Sequence, residues 1–385
     1  MNGTTLPRFR PWGGPERRDN TVHQRWRRER RDDQRPEINS QQVVGVISHS
    51  ELCLSLMETY EEAELCFPKL LNASCQKPVN SQVKNLILHI LLFIFSPMTV
   101  ALNLLVIITV SHFRQLHTPT NLILLSLAVS DLLVGLVPMP GEVYLHFNCW
   151  FLGDLMCSSY NLITYVSVSA SVGNMVLISI DRFIAICDPL HYTHKVTITR
   201  VKVHVCLCWF GSVGFSILIL NDNLTHPGKY HICYGQCFVI IGLIARIIDL
   251  VFSFFLPIVV IVVLYMSVFV VAVSQARAMR SHITAITAQQ SVKGVANKSE
   301  LKAARTLGVL VLVFLNCYCP YFGMLFTEDV ALHNASFSYV TFLLHLNSCL
   351  NPLIYALLYP WFRKAIKLIF TLQILQPGSS ETNIL

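Results

Sequence analysis

Apolar and polar residues in this chain are sorted into long blocks rather than alternating turn by turn. Seven apolar blocks lie at about 85–111, 119–141, 154–185, 203–221, 240–272, 302–326 and 338–359, joined by short polar links. About 20 helical residues cross the roughly 30 Å hydrocarbon core of a bilayer. Strands with open edges would leave backbone groups unpaired in lipid, so the pattern predicts helices. The fold class expected is all-α: a seven-transmembrane helix bundle. After it, residues 360–385 read as an amphipathic helix 8 and a short tail.

Charge then gives the bundle an orientation. Only 13% of the 385 residues are charged and 53% are hydrophobic, whereas soluble domains carry about 25% charge. A soluble protein is thereby excluded. Basic residues follow alternate blocks: Arg114 after the first; Arg182, Lys195, Arg200 and Lys202 after the third. Arg277, Arg280, Lys293, Lys298, Lys302 and Arg305 lie between the fifth and sixth, and Arg363, Lys364 and Lys367 after the seventh. The opposite links carry Glu142, Asp154, Asp222, Glu328 and Asp329. Basic links stay in the cytoplasm, so the N-terminus lies outside, the C-terminus inside, and the chain is a multi-pass protein of the plasma membrane. The glycosylation sequons at Asn72, Asn223 and Asn334 fall outside, and the one at Asn297 falls inside.

Residues 1–56 differ from the rest, being rich in Arg, Pro and acid without an apolar stretch. They read as a disordered extension. Translation is expected to start at Met57, with 1–56 an upstream extension of the gene model; the competing reading is a long extracellular tail. Residues 57–84 form an extracellular N-terminus and 85–359 the membrane domain. Of 13 cysteines, Cys66, Cys75, Cys157, Cys233 and Cys237 flank apolar blocks and become disulfide candidates on an oxidising side.

Ionisable and amide side chains inside a membrane are costly and mark function. The first block holds Asn103, the second Asp131, and the third ends in Asp181-Arg182-Phe183. The fourth has Trp209, the fifth Pro257 and Tyr265, the sixth Phe314 and Pro320, and the seventh Asn351-Pro352-Leu353-Ile354-Tyr355. Asp131, Ser171, Asn347, Ser348 and Asn351 fall at one depth as a polar cluster. Pro320 and Pro352 remove backbone bonds and supply bends. Neither a nucleophile–base arrangement nor catalytic metal-ligand spacing is present, so an enzyme is not expected.

In this order, these motifs resemble the rhodopsin-like class of G-protein-coupled receptors. Closer still, Asn347 to Phe362 with its Tyr359-Pro360-Trp361-Phe362 run, FRQLHTPTN, ISIDRFIAICDPLHY and KAARTLG resemble trace amine-associated receptors over roughly Met57 to Lys367. The resemblance implies an olfactory receptor that binds amines and signals through a stimulatory heterotrimeric G protein to cyclic AMP. Its other contacts are with membrane lipid; no nucleic acid is implied. It implies pairing of Arg182 with Glu300 in the inactive state, next to Asp181. At the polar cluster it implies an allosteric sodium ion, the competing reading being a packing knot; no other cofactor is implied. It pairs Cys157 with Cys237, and leaves Cys233 for Cys66 in preference to Cys75.

The sequence departs from the aminergic pattern at Thr164, seven residues after Cys157, where an aspartate is usual. Asp249 lies eight residues before Pro257, roughly 12 Å further out along a helix. Ser253 follows it by one turn. This resembles a subset of the family, largely expanded in fishes, whose amine-binding acid is on helix 5. The competing reading pairs Asp249 with Arg246. Thr164, Tyr165, Tyr318, Tyr321, Phe322 and His345 complete the expected pocket, since aromatic faces suit cations. Tyr318 replaces the usual tryptophan of the helix 6 switch, and His345 suggests a pH-sensitive pocket. A diamine would need a second acid, for which Glu142 and Glu328 are candidates. Two further readings compete: a receptor for a non-amine odorant or peptide, and a transporter using Asp131 and Asp249 as proton carriers.

Overall fold

The computed structural model describes residues 65–70, 73–76, 83–147, 149–229, 231, 233–285, 293–324 and 330–384; of these, 83–85, 146–147, 272, 275–285, 293–307 and 330–336 are described by backbone alone. Residues 1–56, Asn72 and Glu328, with the side chains of Asn297, Glu300 and Asn334, lie outside the described residues.

The bundle is built from α1 (Val83–His112), α2 (Pro119–Leu136), α3 (Gly153–Cys187), α4 (Ile198–Thr225), α5 (Leu256–Ala285), α6 (Lys293–Met324) and α7 (Val330–Leu358), followed by α8 (Pro360–Phe370). Among the described residues six helices are long and apolar enough to cross a membrane, and Gly308–Met324 of α6 supplies a shorter apolar segment. Several helices overrun the apolar blocks. The fourth starts at Ile198 rather than 203, and the sixth at Lys293 rather than 302. Backbone hydrogen bonding continues past the lipid boundary, so hydropathy underestimates helix length.

Local chemistry sets the ends and breaks. Thr118 and Thr197 accept from the backbone N–H three residues on, at 3.3 and 3.4 Å, and cap α2 and α4. α2 stops at Leu136 because Pro138 brings no N–H, and the chain resumes as the helix Pro138–Phe147. Ahead of α5 comes a helix, Leu243–Asp249, and then a wide π turn, Leu250–Phe255. Pro257 offers no N–H to the Ser253 carbonyl, and the chain accommodates this by bonding Leu256 N–H to Val251 O.

The helices expose apolar side chains and bury both an apolar core and a set of polar residues. Phe93, Phe210, Leu218, Leu243, Ile244 and Val263 are exposed, while Asn103, Asp131, Ser171, Asn174, Asn347 and Asn351 are buried. A lipid surround accounts for the exposed apolar faces. α8 buries Trp361, Phe362 and Ala365 against the bundle. Its Arg363 donates to the carbonyls of Ala356 and Leu357 at 3.1 and 2.9 Å, satisfying the end of α7. The tail then returns to the first cytoplasmic link, where His112 Nε2 meets Ser379 Oγ at 2.9 Å and Ile384 is buried.

Among the described residues three disulfides staple the outer face: Cys66–Cys149, Cys75–Cys233 and Cys157–Cys237. The Cys66–Cys233 pairing implied by resemblance is corrected. Cys75 N donates to Tyr234 O at 2.9 Å and Tyr234 N to Ala73 O at 2.7 Å, which brings Cys75 beside Cys233. Cys66 lies against Gly235 and takes Cys149, a cysteine not among the sequence candidates. Asn223 sits in the last turn of α4 with its amide donating to Ile240 O at 3.0 Å in an exposed contact.

Candidate functional site

At mid-membrane, Asp131 of α2 is fully buried and receives three hydrogen bonds. Ser171 of α3 donates to Oδ1 at 3.1 Å, Ser348 of α7 donates to Oδ1 at 2.8 Å, and Asn351 donates to Oδ2 at 2.8 Å. Asn347 is also buried, and neither of its amide atoms has a partner among the described residues. Asn103 of α1 donates to Ser348 O at 3.0 Å. One carboxylate thus ties α2, α3 and α7, and α1 joins through backbone. A carboxylate, hydroxyls and an amide oxygen form a donor set suited to a hard cation. Tyr318 lies close to Asp131 and Ser171 and stacks on Phe314 at 4.3 Å. It belongs to this inner knot, deeper than the ligand-lining position expected of it.

At the cytoplasmic end, Arg182 bonds its neighbour Asp181 (Nε to Oδ2, 2.9 Å) and the Thr120 hydroxyl. Asp181 also accepts from Thr120 at 2.9 Å and from the Tyr192 hydroxyl at 2.9 Å. Thr120 and Tyr192 were not legible as partners, because they come from α2 and the second cytoplasmic link. In that link Asp188 accepts from Lys195 and His191 at 2.8 and 2.7 Å, and these bonds hold its carboxyl down at about 2. The Glu300 side chain, the expected Arg182 partner, is outside the described residues.

Toward the outer side, Asp249 is half-buried and accepts from Ser253 Oγ at 2.7 Å. Arg246 donates instead to Ile241 O at 3.4 Å, and no ion pair joins it to Asp249 among the described residues. Tyr165 of α3 and Tyr321 of α6 lie within electrostatic reach of Asp249, and Tyr321 also within reach of Glu142. Phe322 stacks on Phe254 at 4.4 Å. Thr164 turns its hydroxyl back to Tyr160 O at 2.9 Å, within its own helix. Glu142 is hydrogen-bonded to Tyr160. His345 is buried, 2% exposed, in α7. Asp249 and Ser253 are therefore in contact, with Tyr165 and Tyr321 within electrostatic reach, while Tyr318 is assigned to the deeper knot.

Seven helices crossing a membrane, knotted at Asp131 and closed by an acid–arginine pair at the cytoplasmic end, describe a receptor of one class. Residues 102–355 match the 7 transmembrane receptor (rhodopsin family). The chain is thus a multi-pass plasma-membrane receptor and not an enzyme, with a small-molecule ligand and a heterotrimeric G protein as its class of partners. Within that class it belongs to the trace amine-associated receptor family. It is 35% identical over 343 residues to trace amine-associated receptor 13c of Danio rerio, which covers 85% of this chain and 98% of the relative. Identity to trace amine-associated receptor 9 of Rattus norvegicus is 38% over 333 residues, or 83% and 97% of the two chains. Trace amine-associated receptor 1 of Macaca mulatta is 33% identical over 327 residues, or 82% and 96%.

Proposed function

We propose that this receptor detects amines in olfactory neurons, holds the ammonium group at Asp249, and signals through a stimulatory G protein to cyclic AMP. The observation that supports the reading is the Asp249–Ser253 pair, half-buried and within electrostatic reach of Tyr165 and Tyr321. Ser253 aims the carboxylate, and a bound ammonium relieves the cost of an acid kept from water through charge-assisted hydrogen bonds. Thr164, at the position where aminergic relatives carry their acid, has no charge to offer. The chain therefore reads as one of the helix 5 subset that resembles receptors expanded in fishes. Glycans are proposed at the outer sequons Asn72, Asn223 and Asn334.

Residues 1–56 are proposed as an extension dispensable for this function, with the receptor proper running from Met57. The Asp131 cluster is proposed to hold a sodium ion in the inactive state. Asp131, Ser171 and Ser348 would contribute oxygens, and the amide oxygen of Asn347 is a further donor to hand. Bound there, the cation would supply the positive charge that the carboxylate otherwise lacks.

The test is a cyclic AMP reporter assay in cells expressing the chain from Met57, with amines and their uncharged isosteres. Asp249→Asn should weaken amine potency by about 30-fold or more at unchanged surface expression, the equivalent of about 2 kcal/mol for an unpaired buried charge. Equal responses to the isosteres would remove the amine reading.

A further inference from the structure

We propose that the outer mouth of the receptor carries a second site for organic ammonium ions, formed by Asp154 and an aromatic wall under the disulfide-stapled N-terminal segment. A cavity of about 340 Å³ lies there, lined by Phe67, Trp150, Phe151 and Tyr234, with Asp154 and His231 as its ionisable groups. Small-ligand sites begin at about 300 Å³. Four parts of the chain converge on it: the N-terminal segment brings Phe67, and the first outer link brings Trp150 and Phe151. The first turn of α3 brings Asp154, and the second outer loop His231 and Tyr234.

The cavity is held rather than incidental. Cys66–Cys149 and Cys75–Cys233 tie the N-terminal segment to both outer loops. Trp150 is fixed twice, its backbone N donating to Gly235 O at 2.9 Å and its ring Nε1 to Gly153 O at 2.8 Å. His231 Nδ1 lies 3.0 Å from Asp154 Oδ1 and fixes the orientation of the carboxylate. Gly228 has φ +77°, and a Cβ at that residue would come within 2.3 Å of Asp154 Oδ2. Position 228 must therefore stay bare for the acid to sit where it does.

Phe151 and Tyr234 are 66% and 64% exposed, beside a carboxylate and at the outer end of the bundle rather than on its lipid-facing flanks. Large exposed rings in that setting are informative. Aromatic faces attract ammonium ions through their quadrupole, and a carboxylate supplies the balancing charge. The ligand class is an ammonium small enough for the cavity, quaternary ones included, since the rings ask for no N–H. Asp249 takes no part, so the site stands or falls apart from the deeper one.

Saturation-transfer NMR on the full-length receptor in nanodiscs tests this, with choline as probe and 3,3-dimethylbutan-1-ol as its uncharged isostere. Choline should give a signal in the wild type and in Asp249→Asn. The signal should fall about fivefold or more in Asp154→Asn and in Tyr234→Ala, and persist in Tyr234→Phe, which keeps the ring and controls for folding. The isostere should give none. An equal signal from the isostere, an unchanged signal in Asp154→Asn, or loss of signal in Asp249→Asn would overturn the proposal.

Discussion

A methyl group at position 308 would lie 2.2 Å from the Tyr265 hydroxyl oxygen, so α5 and α6 can approach as they do only because residue 308 is glycine. Gly308→Ala should cost about 1–3 kcal/mol through overpacking, visible as a lower thermal midpoint of the purified receptor. Tyr265→Phe in the same background should recover part of it; an unchanged midpoint for Gly308→Ala alone would refute the contact. Such pairs are invisible in sequence, because Gly308 and Tyr265 are far apart along the chain. Polar residues within the membrane were easier to read. Asp131 and Asp249 stand out because each is an acid in an apolar block, and Thr164 because it breaks a known pattern. Tyr318 stood out as well, but its depth did not: only packing assigns it to Phe314 and Asp131 rather than to the ligand chamber.

At the scale of elements, the hydropathy pattern located the seven helices but not their ends or irregularities. The π turn Leu250–Phe255 is the consequential one. One extra residue turns the helix outward of it by roughly 100° relative to the inner part, and so decides which face Asp249 presents. Pro257 hinted at a distortion but not at its pitch. Disulfide connectivity was equally out of reach, since spacing does not determine pairing. Cys149 lies amid aromatic residues just past the helix Pro138–Phe147, where nothing in the sequence marks it as a disulfide partner. Peptide mapping without reduction should recover Cys66 linked to Cys149 and Cys75 linked to Cys233; a Cys66–Cys233 peptide would contradict the structure. Because each pair is one bond, Cys66→Ser and Cys149→Ser should destabilise by similar amounts, about 2–5 kcal/mol.

Over the whole molecule, a single buried carboxylate joins three helices. Asp131 takes its three hydrogen bonds from α3 and α7, so relative motion of those helices must disturb it. A cation held there would favour one arrangement and oppose agonists that favour another, as differential binding requires. Replacing potassium by sodium should therefore lower agonist affinity in wild-type membranes, and Asp131→Asn should abolish the difference. A sodium effect that survives Asp131→Asn would assign the ion elsewhere. The cytoplasmic knot of Asp181, Arg182, Thr120 and Tyr192 and the outer stapled segment close the same bundle at its two ends, with the proposed ligand acid between them.

The claim at the centre is that the amine's counter-ion hangs from helix 5 instead of helix 3, and moving the acid tests it most directly. Amine-evoked cyclic AMP should be compared for wild type, Asp249→Asn and the double variant Asp249→Asn with Thr164→Asp, at matched surface expression. The expected result is a response lost in the single variant and regained, at least in part, in the double one. A single variant that answers amines as well as the wild type would contradict the assignment of Asp249.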